Sequence, residues 1–147
     1  MAHSFYSVYL HLIFACKERR PFVQQQWKDD FHQYICGIIK SKGAILKAIG
    51  GTSDHIHILC SLPGTVSYAE LVKEIKSRSS AWIKNNHEPL FSWQEGYSAF
   101  SVGVPQLERV SSYINNQEEH HSSKSFEDEF RELLIAAGLS LPEQTRY

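Results

Sequence analysis

Apolar residues along this chain fall into short dense runs and into stripes spaced three and four apart, and their order predicts its elements. Tyr6 to Ala15 is rich in aromatic and aliphatic residues and reads as a first strand, ended by the polar turn "CKERRP". From Gln24 to Lys40, Trp27, Phe31, Tyr34, Ile35 and Ile38 recur at the spacing of one helical face, and Gly43 closes that helix. "AILKAIGG" and "HIHILCSL" are two further strands, and Gly50, Gly51, Thr52 and Ser53 between them signal a hairpin. Ser67 and Glu70 have the S-x-x-E spacing of a capping box, which predicts a helix to about Asn85. "GYSAFSVGV" reads as a fourth strand, and Pro105, favoured in a first helical turn, opens a helix carrying "QLERVSSYINNQEEHH". A last amphipathic helix uses Phe126, Phe130, Leu133, Leu134 and Ala137, with Gly138 as its stop.

The order is βαββαβ followed by two helices. It predicts an α+β protein with a ferredoxin-like (split βαβ) antiparallel sheet, helices on one face of it, and additional C-terminal helices. At 147 residues, 1–147 form a single domain that buries a core without disulfide staples. The most apolar stretch, Val8 to Cys16, is interrupted by His11 and is far too short to span a bilayer, so a soluble protein is expected. Cys16, Cys36 and Cys60 lack C-x-x-C spacing and lie in apolar patterns, as small hydrophobes of a reducing compartment do, which points to the cytoplasm. The net charge of -1 conceals a segregation. Residues 1–87 carry eleven Lys and Arg against six Asp and Glu, whereas 88–147 carry four against ten. A basic face for nucleic acid can therefore be built from the first half alone.

The candidate chemistry lies on the third strand. Alternation puts His55, His57 and Leu59 on one face and Ile56, Ile58 and Cys60 on the other. Two imidazoles so placed can hold one metal ion with positions left open for substrate oxygens; the same pattern also fits a solvated strand face. Leucine at position 59 excludes the third histidine of histidine-triad hydrolases, and the H-x-T or H-x-S pairs of two-histidine phosphoesterases are missing. Tyr113 and Gln117, four apart on a helix, stack a phenol and a carboxamide on one face, although Tyr113 also continues the apolar stripe of Leu107, Val110 and Ile114.

Taken together, "DHIHILCSLP", "LVKEIKSRSSAWI", "WQEGYSAFSVG" and "YINNQEEHH" resemble the single-tyrosine HUH transposases of small bacterial insertion sequences, of the IS-two-hundred/IS-six-hundred-five type. The resemblance runs from about Tyr6 to Phe130 in the same order, with His55, Ile56 and His57 as the His-hydrophobic-His motif. It implies that His55, His57 and Gln117 ligate a divalent ion, Mg²⁺ or Mn²⁺, and that Tyr113 is the nucleophile. It further implies cleavage and rejoining of single-stranded DNA at hairpin-bearing element ends through a 5′-phosphotyrosine. The implied working unit is a homodimer whose active sites are shared, with the histidine pair of one subunit facing the tyrosine helix of the other. The chain has no G-x-x-x-x-G-K-[ST] loop, in keeping with chemistry that conserves a phosphodiester and needs no ATP.

DNA contacts have separate candidates. Lys73, Lys76, Ser80 and Lys84 form one polar stripe on the helix after Ser67, and Lys17, Arg19 and Arg20 cluster after the first strand. Either cluster can equally be a solvated surface. Trp93 and Tyr97 are expected in the core rather than stacked on bases. Asp54, by strand alternation, is expected to point away from His55, while His120 and His121 read as helix-ending residues, with His120 also a candidate proton shuttle. The competing functional class is a non-catalytic or domesticated protein that binds nucleic-acid hairpins. RNA-recognition modules share the fold but carry aromatics where this strand carries imidazoles.

Overall fold

In the computed structural model, which describes residues 3–121 and 124–140 apart from the side chain of His120, the alternating and helical patterns take the predicted order. Four strands, β1 (Tyr9–Ala15), β2 (Leu46–Gly51), β3 (His55–Ser61) and β4 (Ser98–Val102), form one sheet in the order β2-β3-β1-β4. Every neighbouring pair is antiparallel. Helices α1 (Gln25–Ser41) and α2 (Tyr68–Asn86) are the two crossovers of the split βαβ units. Ser67 Oγ accepts from the Glu70 backbone N–H at 3.1 Å, so the serine half of the expected capping box is formed. Gly43 (φ 82°) and Gly138 (φ 76°) end their helices in the left-handed conformation that glycine adopts without a Cβ clash.

One face of the sheet carries Leu12, Phe14, Ile56, Ile58 and Cys60, and these pack beneath Trp27, Phe31, Ile35 and Ile38 of α1 and Leu71, Val72 and Ile75 of α2. Trp93 joins this cluster, stacking edge-on against Phe14 and Phe91 and donating its indole N–H to Ser79 Oγ, as a core residue does.

The expected C-terminal helices cover the second face of the sheet. Phe126, Phe130 and Leu134 of α5 (Phe126–Ala136) pack on Ile13 and Ala15 of β1, while Ile114 of α3 (Leu107–Asn115) packs on Ala48 and Leu59. The apolar stripes of the C-terminal helices need a partner, and the only apolar sheet surface left is the one that carries the histidines. His55 and His57 are consequently sealed, at 3% and 0% exposure, which excludes a solvated strand face.

Two local features set up the site. The glycine pair expected in the hairpin turn lies inside β2, and residues 52–54 make the turn. Gly50 is needed there for close approach: a Cβ at position 50 would lie 2.0 Å from the carbonyl oxygen of Ile114. The single helix expected after Pro105 is also broken. Pro105 opens a 3-10 turn, Val104–Gln106, α3 stops at Asn115, Asn116 leaves the helical conformation (φ -108°, ψ 27°), and α4 (Gln117–His121) begins afresh. Asparagine side chains compete for backbone hydrogen bonds and so favour interruption at this point. Among the described residues, no helix is long and apolar enough to cross a membrane.

Candidate metal centre and tyrosine site

In the β1–β3 register Ile13 faces His57 and Ala15 faces His55, so the two histidines rise from the sheet between small or branched apolar side chains of β1. Each imidazole is then fixed by a polar partner on its Nδ1. Asp54 Oδ1 lies 2.7 Å from His55 Nδ1, and Thr52 Oγ1 donates to the same carboxylate oxygen at 3.1 Å. Strand alternation failed for Asp54 because it sits in the turn before β3, where side-chain direction is not set by the pleat. Burial alone would raise the Asp54 pKa, but its hydrogen bond from His55, the charge of that ring, Thr52 and Arg19 hold it below its ordinary value. An ionised carboxylate only accepts, so a His55 proton sits on Nδ1. The other ring nitrogen, Nε2, lies 3.2 Å from Gln117 Oε1.

His57 Nδ1 meets Nε2 of His11 at 2.8 Å, a contact between β1 and β3 in the buried layer. Its Nε2 lies 2.8 Å from Oε1 of Glu129 on α5, and the other Glu129 oxygen lies 2.6 Å from His121 Nε2. Despite these separations, His57 Nε2, His121 Nε2 and both Glu129 oxygens are buried without a partner in hydrogen-bonding geometry. Burial lowers the pKa of His57 to about 4 and that of His11 to about 3, so both rings are neutral at pH 7. Burial would raise that of Glu129, but its contact with His57 outweighs this and holds it down at about 2.

Tyr113, at the end of α3, places its ring centroid 5.9 Å from that of His57 and 6.5 Å from that of His11, close to perpendicular to both. Burial, reinforced by the negative charge of Glu129, pushes its phenol well above the ordinary tyrosine value. Gln117 starts α4, is almost fully buried, and its amide N–H₂ donates to the Tyr113 carbonyl at 3.5 Å. The break at Asn116 therefore still leaves Tyr113 and Gln117 against the histidine pair. All four lie in one chain.

The donor set suits a divalent cation. His55 Nε2 and Gln117 Oε1 stand 3.2 Å apart beside buried nitrogens and carboxylate oxygens that lack aligned partners, a set that a positive centre would satisfy. His55, His121 and Glu129 alone bring three ligand atoms within 4.8 Å of one another.

Sequence reasoning missed Glu129 and His11 and assigned His121 only to the helix end. Each left a trace: Glu129 is a charge on an otherwise apolar stripe three residues after Phe126, and His11 interrupts the most apolar run of the chain. His120, a candidate proton shuttle and helix-ending residue, has its side chain outside the described residues.

The DNA-contact candidates divide. Lys73 and Lys84 are exposed on α2, which covers the opposite sheet face from the histidines. Lys76 is tied inward, its ammonium donating to the carbonyls of Gln94 at 2.8 Å and Gly96 at 2.6 Å. Arg19 lies 3.6 Å from Asp54 and 3.4 Å from Glu127 and caps the Phe126 ring at 4.7 Å, so it braces the turn before β3 against α5. Glu18 and Arg19 hold left-handed backbone angles (φ 55° and 54°), and that strain aims Arg19 inward. Arg20 is largely exposed and pairs with Glu18.

No curated protein matches the chain. A solved structure of a candidate transposase from Deinococcus radiodurans R1 is similar at 22% identity and a TM-score of 0.65, covering 80% of this chain and 95% of that one. A REP-associated tyrosine transposase bound to a REP hairpin is similar at 14% identity and a TM-score of 0.63, covering 100% of this chain and 94% of that one. At such identities these two likenesses establish the fold. The family model described as "Transposase IS200 like" matches residues 4–117, a span that contains His55, His57, Tyr113 and Gln117. The chain belongs to the IS200-like transposase family.

Proposed function

We propose that this protein cleaves and rejoins single-stranded DNA at hairpin-bearing element ends, with Tyr113 as the nucleophile and a divalent cation, Mg²⁺ or Mn²⁺, held by His55, His57 and Gln117. The observation that carries the reading is the convergence of a half-buried tyrosine on two oriented, buried imidazoles and the amide oxygen of Gln117, which faces one of them. Membership of a transposase family and the hairpin-bound structural relative support the substrate class.

His55 and His57 offer Nε2 to the cation because Asp54 and His11 occupy the Nδ1 positions. When bound, the cation polarises a non-bridging oxygen of the scissile phosphate and offsets charge developing there. Tyr113 attacks phosphorus. The new bond joins its phenolic oxygen to the 5′-phosphate, the bond from phosphorus to the 3′-oxygen breaks, and that oxygen leaves as a 3′-hydroxyl after gaining a proton. Attack by another strand's 3′-hydroxyl reverses these events and releases the tyrosine. Burial and Glu129 keep the phenol protonated in the resting protein, so Tyr113 is unreactive until positive charge and substrate arrive.

The test is a denaturing gel for a covalent protein–DNA adduct, using hairpin oligonucleotides from the flanks of the gene with Mn²⁺, Mg²⁺ or chelator. A metal-dependent adduct on single strands that vanishes in Tyr113→Phe and His55→Ala is expected. Hairpin binding with no adduct from the wild type would return the protein to the non-catalytic reading. Tyr113 lies beside His57 of its own chain, which supports a complete site in each subunit; the homodimer with shared sites is tested by mixing the two inactive variants. Restored adduct formation would mean that subunits exchange their tyrosine helices.

A further inference from the structure

Beyond the two histidines and the glutamine, and resting on the reading that this centre binds a dication, we infer that Glu129 of α5 and His121 of α4 are additional ligands, and that the centre selects a transition-metal dication such as Mn²⁺ over Mg²⁺. Ligand atoms around one ion at about 2.1 Å stand about 3 Å apart along the edges of an octahedron. The separations here have that size: 3.2 Å from His55 Nε2 to Gln117 Oε1, 2.8 Å from His57 Nε2 to Glu129 Oε1, and 2.6 Å from Glu129 Oε2 to His121 Nε2.

The contacts within this cluster are short but poorly aligned for hydrogen bonds. The nitrogens of His57 and His121 and both oxygens of Glu129 are buried, close together and outside hydrogen-bond geometry. A buried carboxylate in that condition is costly, and a cation held between Glu129, His121 and His55 would offset that cost. Glu129 is delivered by apolar contacts of its own helix, since Phe126, Phe130 and Leu134 dock on Ile13 and Ala15 on either side of it. Three imidazoles and a carboxylate are a nitrogen-rich set. Mg²⁺ prefers oxygen ligands and retains its waters, whereas later divalent ions gain from imidazole. Within this set, ligand atoms of His55, His121 and Glu129 lie within 4.8 Å of one another.

Titration calorimetry of the full chain with Mn²⁺ and with Mg²⁺ tests this, with circular dichroism to confirm folding of each variant and electron spin-echo measurements to count imidazoles on bound Mn²⁺. The wild type should bind Mn²⁺ at least about tenfold more tightly than Mg²⁺. Glu129→Gln and His121→Ala should each weaken Mn²⁺ binding by at least about tenfold, and His121→Ala should reduce the imidazole count from three to two. Unchanged Mn²⁺ affinity in both variants, with normal wild-type binding, overturns the inference while leaving the proposed function standing. Tighter binding in Glu129→Gln also overturns it, making Glu129 a plug over the histidines. Absence of metal binding by the wild type overturns both. Should Glu129→Gln fail to fold, the partly exposed His121 decides the question alone.

Discussion

Gly50 of β2 and Ile114 of α3 touch backbone to backbone: the space a Cβ would take at position 50 is filled by the Ile114 carbonyl oxygen, 2.0 Å away. Because Tyr113 precedes Ile114, this contact sets the height of the tyrosine above the sheet. Gly50→Ala must push α3 outward, at a stability cost of about 1–3 kcal/mol, and should abolish most adduct formation. Gly37→Ala, at an exposed helical position with nothing within 4 Å, should instead stabilise by about 0.5–1 kcal/mol and leave the adduct intact. Urea melts and the adduct gel on the two variants check the contrast.

His11 touches His57 only through Nδ1, on the far side of the ring from Glu129. His11→Phe keeps a planar ring in the buried layer but removes the nitrogen on His57 Nδ1, freeing the His57 ring to change tautomer and tilt. Mn²⁺ affinity should fall by about 10–100-fold, with a smaller effect on the melting temperature. An affinity equal to the wild type would show that β3 alone orients His57.

Acid should destabilise the metal-free protein well above the pH at which carboxylates protonate. His11 and His57 have folded pKa values of about 3 and about 4, both depressed from the ordinary 6.5, so between those limits the unfolded chain binds more protons than the native one. Their contribution is complete above about pH 6.5 and is lost as pH falls towards 4 and then 3. Glu129, depressed to about 2 from 4.5, adds a loss of the same sign below about pH 4.5. The urea midpoint should be flat from pH 7 to 8 and fall steadily between pH 6.5 and 4; a midpoint unchanged down to pH 5 would mean the buried rings are protonated in the native state.

The α2 lysines should separate into two kinds. Lys76→Ala removes the partner of two carbonyls and should lower stability by about 1–3 kcal/mol. Lys73→Ala and Lys84→Ala should leave stability within about 0.5 kcal/mol. If α2 carries DNA, each of the latter should reduce the salt dependence of hairpin binding by about 0.7 in the log–log slope per lost phosphate contact. Unchanged slopes in both would move the DNA path to another surface.

Much of the fold was legible because burial imposes a period on the sequence. Ile56, Ile58 and Cys60 alternate with the histidines, and Trp27, Phe31 and Ile35 recur at helical spacing, so strand, helix and core face follow from the pattern. What stayed hidden depends on how elements meet. Strand alternation sends Asp54 away from His55, yet a turn residue obeys the turn, and there it binds the ring. Glu129 lies on a helix whose apolar stripe signals only that something is covered; that the covered surface holds His57 appears once α5 is docked on β1. Lys76 looks like its neighbours on a helical wheel, and only the loop carbonyls of Gln94 and Gly96 distinguish it. Long-range polar contacts have no period, so no window of sequence contains them.

The interruption at Asn116 divides mechanical responsibilities within the site. Tyr113 and Gln117, the proposed attacker and ligand, sit on separate rods, α3 resting against the edge strand and α4 tied to α1 through the Lys28–Glu118 ion pair. A straight helix would couple them rigidly, so any shift in the reach of the phenol would drag the amide with it. With a joint between the rods, substitutions along α3 can retune the nucleophile while the coordination cage keeps its shape.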